Sequence, residues 1–134
     1  MCTIFSKIIN REISGHIVVE DKNFIAFLDI FPIQKGHTLV VPKKEVDYIF
    51  DLDDDTLKDL HLFAKKVAKG LEKAVKCSRI GTVVMGLEIP HAHIHLIPIN
   101  DVGDINFTNP KLMFSKNEFQ IIAKKIRSEI QGIS

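Results

Sequence analysis

Apolar residues in the first half of the chain fall in short runs rather than at helical spacing. "GHIVVED" and "NFIAFLD" are β-branched or aromatic stretches joined by the turn-forming "EDKN", and each predicts a strand. "FPIQKGH" reads as a loop punctuated by Pro32 and Gly36, and "HTLVVPK" as a third strand stopped at Pro42. The period then changes. Leu57, Leu60, Ala64, Val67, Ala68, Leu71 and Val75 recur every three or four residues and predict one long helix from about Asp53 to Lys76. Asp53, Asp54 and Asp55 crowd its start while Lys65, Lys66, Lys69, Lys73 and Lys76 load its second half, both favourable to the helix dipole. "RIGTVVMG" predicts a fourth strand, "AHIHLIPI" a fifth, and "DVGDINFTNPK" a loop. Ser115 and Glu118 form a capping box that opens a last helix with Phe119, Ile122, Ile126 and Ile130 turned inward. Five strands with two helices and little strand–helix–strand alternation predict an α+β domain built on an antiparallel sheet.

Composition narrows the function classes. At 134 residues the chain is expected to form one domain over 1–134, with a core at about 3–99 and a C-terminal loop and helix at about 100–134. A net charge of +1 without a basic cluster argues against a nucleic acid polymer or a membrane surface as partner. Cys2 and Cys77 form no ligand-spaced motif and no disulfide framework, which suits a reducing cytoplasm. "MCTIFSKIIN" lacks the features of a signal peptide, and "FIAFLDIFPI", broken by Asp29 and Pro32, is too short to span a bilayer.

The chemistry concentrates in "PHAHIHLIP", which spends three of six histidines at alternate positions. On a strand, Ala92, Ile94 and Leu96 face a core while His91, His93 and His95 stand in a row roughly 6.5 to 7 Å apart on the other face. Two readings of that row remain open from the residues alone. His91, His93 and His95 could ligate a metal, with Glu88 or His37 completing the set. Alternatively one neutral imidazole attacks a phosphorus while its neighbours donate hydrogen bonds to the phosphoryl oxygens. No phosphate-cradling glycine loop is present.

"HAHIHLI" resembles the His-φ-His-φ-His-φ-φ signature of the histidine triad (HIT) family, and "IFSKIINREIS" and "AFLDIFPIQKGHTLVVPK" follow that family's order and spacing. The resemblance spans about Thr3 to Ile99. It implies a HIT-like fold and a hydrolase or nucleotidyl transferase that cleaves at the α-phosphate of purine nucleoside phosphoramidates or dinucleoside polyphosphates. His93 would be the nucleophile, forming a covalent nucleotidyl-histidine; His95 would bond the phosphoryl oxygens, His91 would fix local geometry, and His37 would line the same site. Asp29 would accept the ribose hydroxyls, and Phe5, Ile13, Phe27, Leu28 and Ile30 would form the base slot. Phe24, Phe31 and Phe63 are expected in the core, and His16 and His61, on the inner edge of the long helix, in structural roles.

The resemblance also implies a homodimer, with the long helix at or beside the interface through Ala64, Val67, Ala68 and Leu71. No cofactor is expected. Some members hold structural zinc through Cys-x-x-Cys, but "CTIFS" offers only Cys2, followed by Ser6 rather than a second cysteine and one residue beyond that spacing, so no metal is expected either. Glu88 stands where the Hint-like branch has a small hydroxyl residue, and "RIGTVVMG" lacks the family's upstream amide. Glu88, a nucleotide-site residue by that resemblance, would repel a phosphate, so one rival reading is a nucleotide sensor with little turnover; the other is a metal-dependent hydrolase using His91, His93 and His95 as ligands.

Overall fold

The computed structural model describes residues 3–133. The five expected strands are β1 (Ile17–Glu20), β2 (Phe24–Leu28), β3 (Thr38–Pro42), β4 (Arg79–Val83) and β5 (Ile94–Ile99). They form one sheet in the order β1-β2-β3-β5-β4, antiparallel at every pairing. The Asp21 carboxylate closes the β1–β2 turn by accepting from the Asn23 and Phe24 N–H groups, both at 2.8 Å. Aspartate favours such turns because its short side chain reaches backbone donors two and three residues ahead.

Strands β2 and β3 are buried along their whole length, so their residues do not alternate between core and solvent. Both faces of the sheet are covered. Phe24, Ala26, Leu28, Val40, Ile94 and Leu96 pack beneath helices α2 (Asp54–Ala74) and α3 (Lys116–Ile133). Ile25, Phe27, Leu39 and Val41 pack on the other face beneath α1 (Ile4–Ile9), through its Phe5 and Ile8.

The hydrophobic period does not reveal α1, because six residues are too few to establish one. Its start is fixed by a capping box between Thr3 and Ser6, whose hydroxyls lie 3.0 Å apart. The Ser6 hydroxyl is thus a capping group, which also reaches Glu45 at 3.3 Å. Cys2 lies outside the described residues. Among the described residues there are thus three α-helices where two were expected.

The other helix ends follow the sequence. The Asp53 side chain caps α2 through the Thr56 N–H. Ser115 and Glu118 exchange side chain–backbone bonds of 3.0 and 3.1 Å at the start of α3. Gly70 lets α3 approach closely: a Cβ there would collide with Ile130 Cγ1 and stand 3.1 Å from the Ile130 backbone nitrogen.

The structure corrects three placements. Ala64, Val67 and Leu71, expected at a subunit contact, are buried in the chain's own core. His61 is exposed rather than on the inner edge of α2, while His16 stacks on Phe119 with ring centroids 5.0 Å apart. Phe24 and Phe63 are core residues as expected, but Phe31 is 63% exposed. Among the described residues no helix is long and apolar enough to cross a membrane.

Candidate active site

The loop between β2 and β3 brings the first polar groups together. Gly36 adopts φ +88°, a conformation that glycine enters without steric penalty, and this turn delivers His37 to the start of β3. Asp29 N–H donates to the His37 carbonyl at 3.0 Å, extending the β2–β3 ladder by one rung and setting the two side chains near each other. Ladder register does the rest: His95 on β5 lies opposite Leu39 of β3 and Val83 of β4. Paired residues share a face, so His95 points to the α1 side, where a cleft opens to solvent.

The "PHAHIHLIP" stretch is not one regular strand. β5 begins only at Ile94, and the lead-in is held by Ala92 N–H donating to the Val46 carbonyl at 2.7 Å. His93 and His95 line the cleft, whereas His91 is wholly buried behind it. The three imidazoles stay on the α1 side, where Phe5 meets His91 at 5.9 Å and His93 at 4.9 Å between ring centroids, but only His93 and His95 open to the cleft. Among the described residues, the metal-ligand types that converge are Asp29, His37 and His95, whose ligand atoms all lie within 4.8 Å of one another.

Each ring nitrogen's neighbour assigns its proton. Ile33 N–H donates to His37 Nδ1 at 3.2 Å, so that nitrogen is bare and the proton sits on Nε2. His37 Nε2–H in turn donates to His95 Nδ1 at 2.9 Å, with Asp29 Oδ2 3.6 Å away. The proton of His95 is left on Nε2. His93 Nδ1–H donates to the His91 carbonyl at 2.8 Å, which leaves His93 Nε2 with a free lone pair. His91 Nε2–H donates to the Pro42 carbonyl at 2.7 Å, and His91 Nδ1 is buried without a partner.

Burial favours the neutral form of His37, His93 and His95. It is the main cause of a His37 pKa lowered to about 4, helped by the Lys111 charge and by His93. Burial likewise lowers His95 to about 3, helped chiefly by the neighbouring imidazoles. His93 is also lowered by burial, against an upward pull from its bond to the His91 carbonyl and from Asp29. Aromatic edges supply much of the desolvation: Phe5 meets His93 at 4.9 Å and Phe107 meets His95 at 4.8 Å, centroid to centroid.

The structure gathers Asp29, His37, His93 and His95 around one cleft with Phe5, Ile13, Phe27, Leu28, Ile30 and an exposed Glu88. Asp29 Oδ1 accepts the Phe31 N–H at 2.8 Å, as a turn aspartate does, so only Oδ2 is turned to the imidazoles. Phe31, expected in the core, stands at the cleft wall.

Sequence reasoning missed Phe107 and Lys111. They sit on a strap, residues 100–115, tied to the β2–β3 loop by Leu112 N–H to the Pro32 carbonyl at 2.8 Å and Gln34 Nε2 to the Asp104 carbonyl at 3.4 Å. No local pattern marks them; one phenylalanine and one lysine inside a turn-rich segment are the whole signal.

A family profile described as HIT domain matches residues 10–102. An uncharacterised HIT-like protein of Methanocaldococcus jannaschii is 44% identical over 105 residues, covering 73% of this chain and 78% of its own. The adenosine 5'-monophosphoramidase of Saccharomyces cerevisiae is 38% identical over 103 residues, covering 73% of this chain and 63% of its own. Among solved structures, a hypothetical histidine triad nucleotide-binding protein from Sulfolobus tokodaii superposes with a TM-score of 0.83 at 34% identity. That superposition covers 96% of this chain and 92% of that one.

Neutral buried imidazoles make stability depend on acid. Unfolding returns His37 and His95 to the ordinary histidine value of 6.5 from about 4 and about 3, so the unfolded chain binds more protons as pH falls below 6.5. Their contribution is full above 6.5 and declines through the window down to the folded values. The urea midpoint is expected to fall between about pH 7 and pH 5, and less steeply in His95→Asn, which has one fewer such group. Equal slopes in the two proteins would show that His95 is not held neutral by the fold.

Proposed function

The chain belongs to the histidine triad family, and on that footing we propose that it is a nucleotide-binding hydrolase acting at the α-phosphate of purine nucleoside phosphoramidates or dinucleoside polyphosphates. The observation that carries this reading is the bond from His93 Nδ1–H to the His91 carbonyl. It fixes the ring, bares Nε2 toward the cleft, and offers an oxygen dipole to the positive charge that the ring acquires on attack.

The steps follow from the proton positions. The His93 Nε2 lone pair forms a bond to the α-phosphorus, and the bond from phosphorus to the leaving atom breaks with its electron pair, a leaving amine taking up a proton from solvent as it goes. The intermediate is a nucleotidyl-imidazolium that keeps its Nδ1 proton on the His91 carbonyl. Water then attacks the same phosphorus and gives up a proton to solvent, the phosphorus–nitrogen bond breaks, and the pair returns to Nε2. His95 Nε2–H donates to a phosphoryl oxygen throughout. His37 and His91 are positioning residues: the first holds the tautomer of His95, the second the orientation of His93. Asp29 Oδ2 accepts from the ribose, and Ile13, Phe27, Leu28 and Ile30 flank the base with Phe5 below.

A homodimer completes the proposal, by a surface other than the one first expected. Tyr48, Phe50, Val84, Met85 and Leu87 are exposed large apolar side chains around the edge strand β4 and the loop that follows it. Five such residues together exceed the usual scatter of exposed apolar groups, and a two-fold contact would cover them. Light scattering at high micromolar concentration is expected to give twice the chain mass, and Phe50→Asp to shift it toward the monomer; a parent protein of monomer mass ends this part of the proposal.

Asp29→Asn retains an oxygen for the Phe31 N–H and removes the charge. It is expected to weaken nucleoside monophosphate binding by about 1.5 to 3 kcal/mol, the worth of charge-assisted bonds to the diol. A 2′,3′-dideoxy ligand is expected to bind variant and parent alike, and a full penalty with that ligand would assign Asp29 to structure.

The covalent step has a direct test. Rapid alkaline quench during turnover, followed by intact-mass spectrometry, is expected to show one nucleoside monophosphate on the parent chain, because imidazole phosphorus–nitrogen bonds survive base and not acid. His93→Ala is expected to carry none and to turn nothing over while still binding nucleotide. Turnover by His93→Ala, or loss of parent activity on chelation with recovery on adding a divalent ion, would overturn the mechanism.

A further inference from the structure

We infer that Lys111 anchors the departing phosphates, and so makes this cleft selective for nucleotides that lose a phosphate chain over nucleotides that lose an amine. The inference rests on the hydrolase reading above and names its substrate class.

Charge in the cleft is the first observation. Asp29 and Glu88 line it as carboxylates, and the three imidazoles are held neutral by burial. Lys111 is the only Lys or Arg among the lining residues. Without it, an anionic substrate would meet two negative charges and no fixed positive one. A nucleotide with several phosphates carries more charge than the imidazole N–H groups alone can neutralise.

Placement is the second. Lys111 Nζ donates to the Phe107 carbonyl at 2.7 Å and stands 5.8 Å from the centre of the Phe107 ring, which itself packs against His95. An ammonium has three N–H donors, so two remain for a ligand. The anchor is held from both sides in sequence: its own strap contacts Phe107, and the next residue, Leu112, is bonded to Pro32. Lys111 also lies beyond residues 10–102, the stretch that the HIT profile matches.

Leaving-group chemistry is the third. When the bond from the α-phosphorus to a bridging oxygen breaks, both electrons leave on that oxygen, and a phosphate chain departs as a stable anion without needing a proton. A fixed cation beside it lowers the barrier directly. An amine must instead gain a proton as the phosphorus–nitrogen bond breaks. His37 and His95 hold only their tautomeric protons near neutral pH, so this site is better furnished for the anion than for the amine.

The full chain with Lys111→Gln and Lys111→Arg is the test, assayed on a dinucleoside tetraphosphate and on a 5′-phosphoramidate of the same nucleoside. The ratio of kcat/KM, tetraphosphate over phosphoramidate, is expected to fall about tenfold or more in Lys111→Gln, the equivalent of one charge-assisted bond, and to recover substantially in Lys111→Arg. Calorimetry with the nucleoside triphosphate and monophosphate gives a readout independent of turnover: Lys111→Gln is expected to lose most of the triphosphate's advantage. An unchanged ratio together with an unchanged triphosphate advantage overturns the anchor and leaves Lys111 as a tie for the strap. If the parent hydrolyses neither substrate but Lys111→Gln still loses the triphosphate advantage, the hydrolase reading fails and the anchor stands.

Discussion

Taking imidazoles out of water is the constraint from which the rest of this site follows. A buried ring cannot afford a charge, and its N–H must find an acceptor. His37, His91, His93 and His95 are all buried; the fold gives the N–H of His37, His91 and His93 a ring or backbone acceptor and leaves that of His95 for the cleft. The Ile33 N–H sets His37, His37 sets His95, and two carbonyls set His91 and His93. The order of protons in the cleft is thus decided by loop and strand geometry well before any ligand arrives. Desolvation has a second effect: it removes the competition of water from the nucleophile and from the donors around it.

That burial requires a sheet covered on both faces. Helices α2 and α3 take one face, and α1, with the aromatic edges of Phe5 and Phe107, closes around the other. The same requirement explains why the strands were legible in the sequence as unbroken apolar runs while their burial pattern was not. "NFIAFLD" and "HTLVVPK" name strands by residue type, but a run of that kind says nothing of what lies above and below it. The long helices were legible because eighteen or more residues show a period, and their caps, Asp53 and Ser115, are local signals. Helix α1 was not, since its evidence is one capping pair.

The candidate site divides in the same way. His93, His95, His37 and Asp29 could be picked out because alternation and a loop–strand junction are local features. His91 looked equivalent to its two neighbours by spacing, yet the delayed start of β5 turns it inward to Pro42. Phe31 read as core because phenylalanine usually is, and the Asx turn made by Asp29 presents it at the surface instead. Phe107 and Lys111 reach the cleft through contacts that cross about 70 to 80 residues of sequence, Gln34 to Asp104 and Pro32 to Leu112. Such partners depend on the complete topology, and no window of sequence contains both.

The strap's attachment separates two kinds of heredity in this molecule. The proton order of the four imidazoles is written in strands, in the loop before β3, and in the short lead-in to β5, and a substitution in any of them disturbs several rings at once. The segment from 100 to 115 touches that framework through the hydrogen bonds of Leu112 to Pro32 and Gln34 to Asp104 and through the Phe107 ring, which meets both His37 and His95. It can therefore be rewritten in length and charge without reopening the bonding of His91 and His93. A lineage carrying such a domain can vary what departs from the phosphorus while keeping how the phosphorus is attacked.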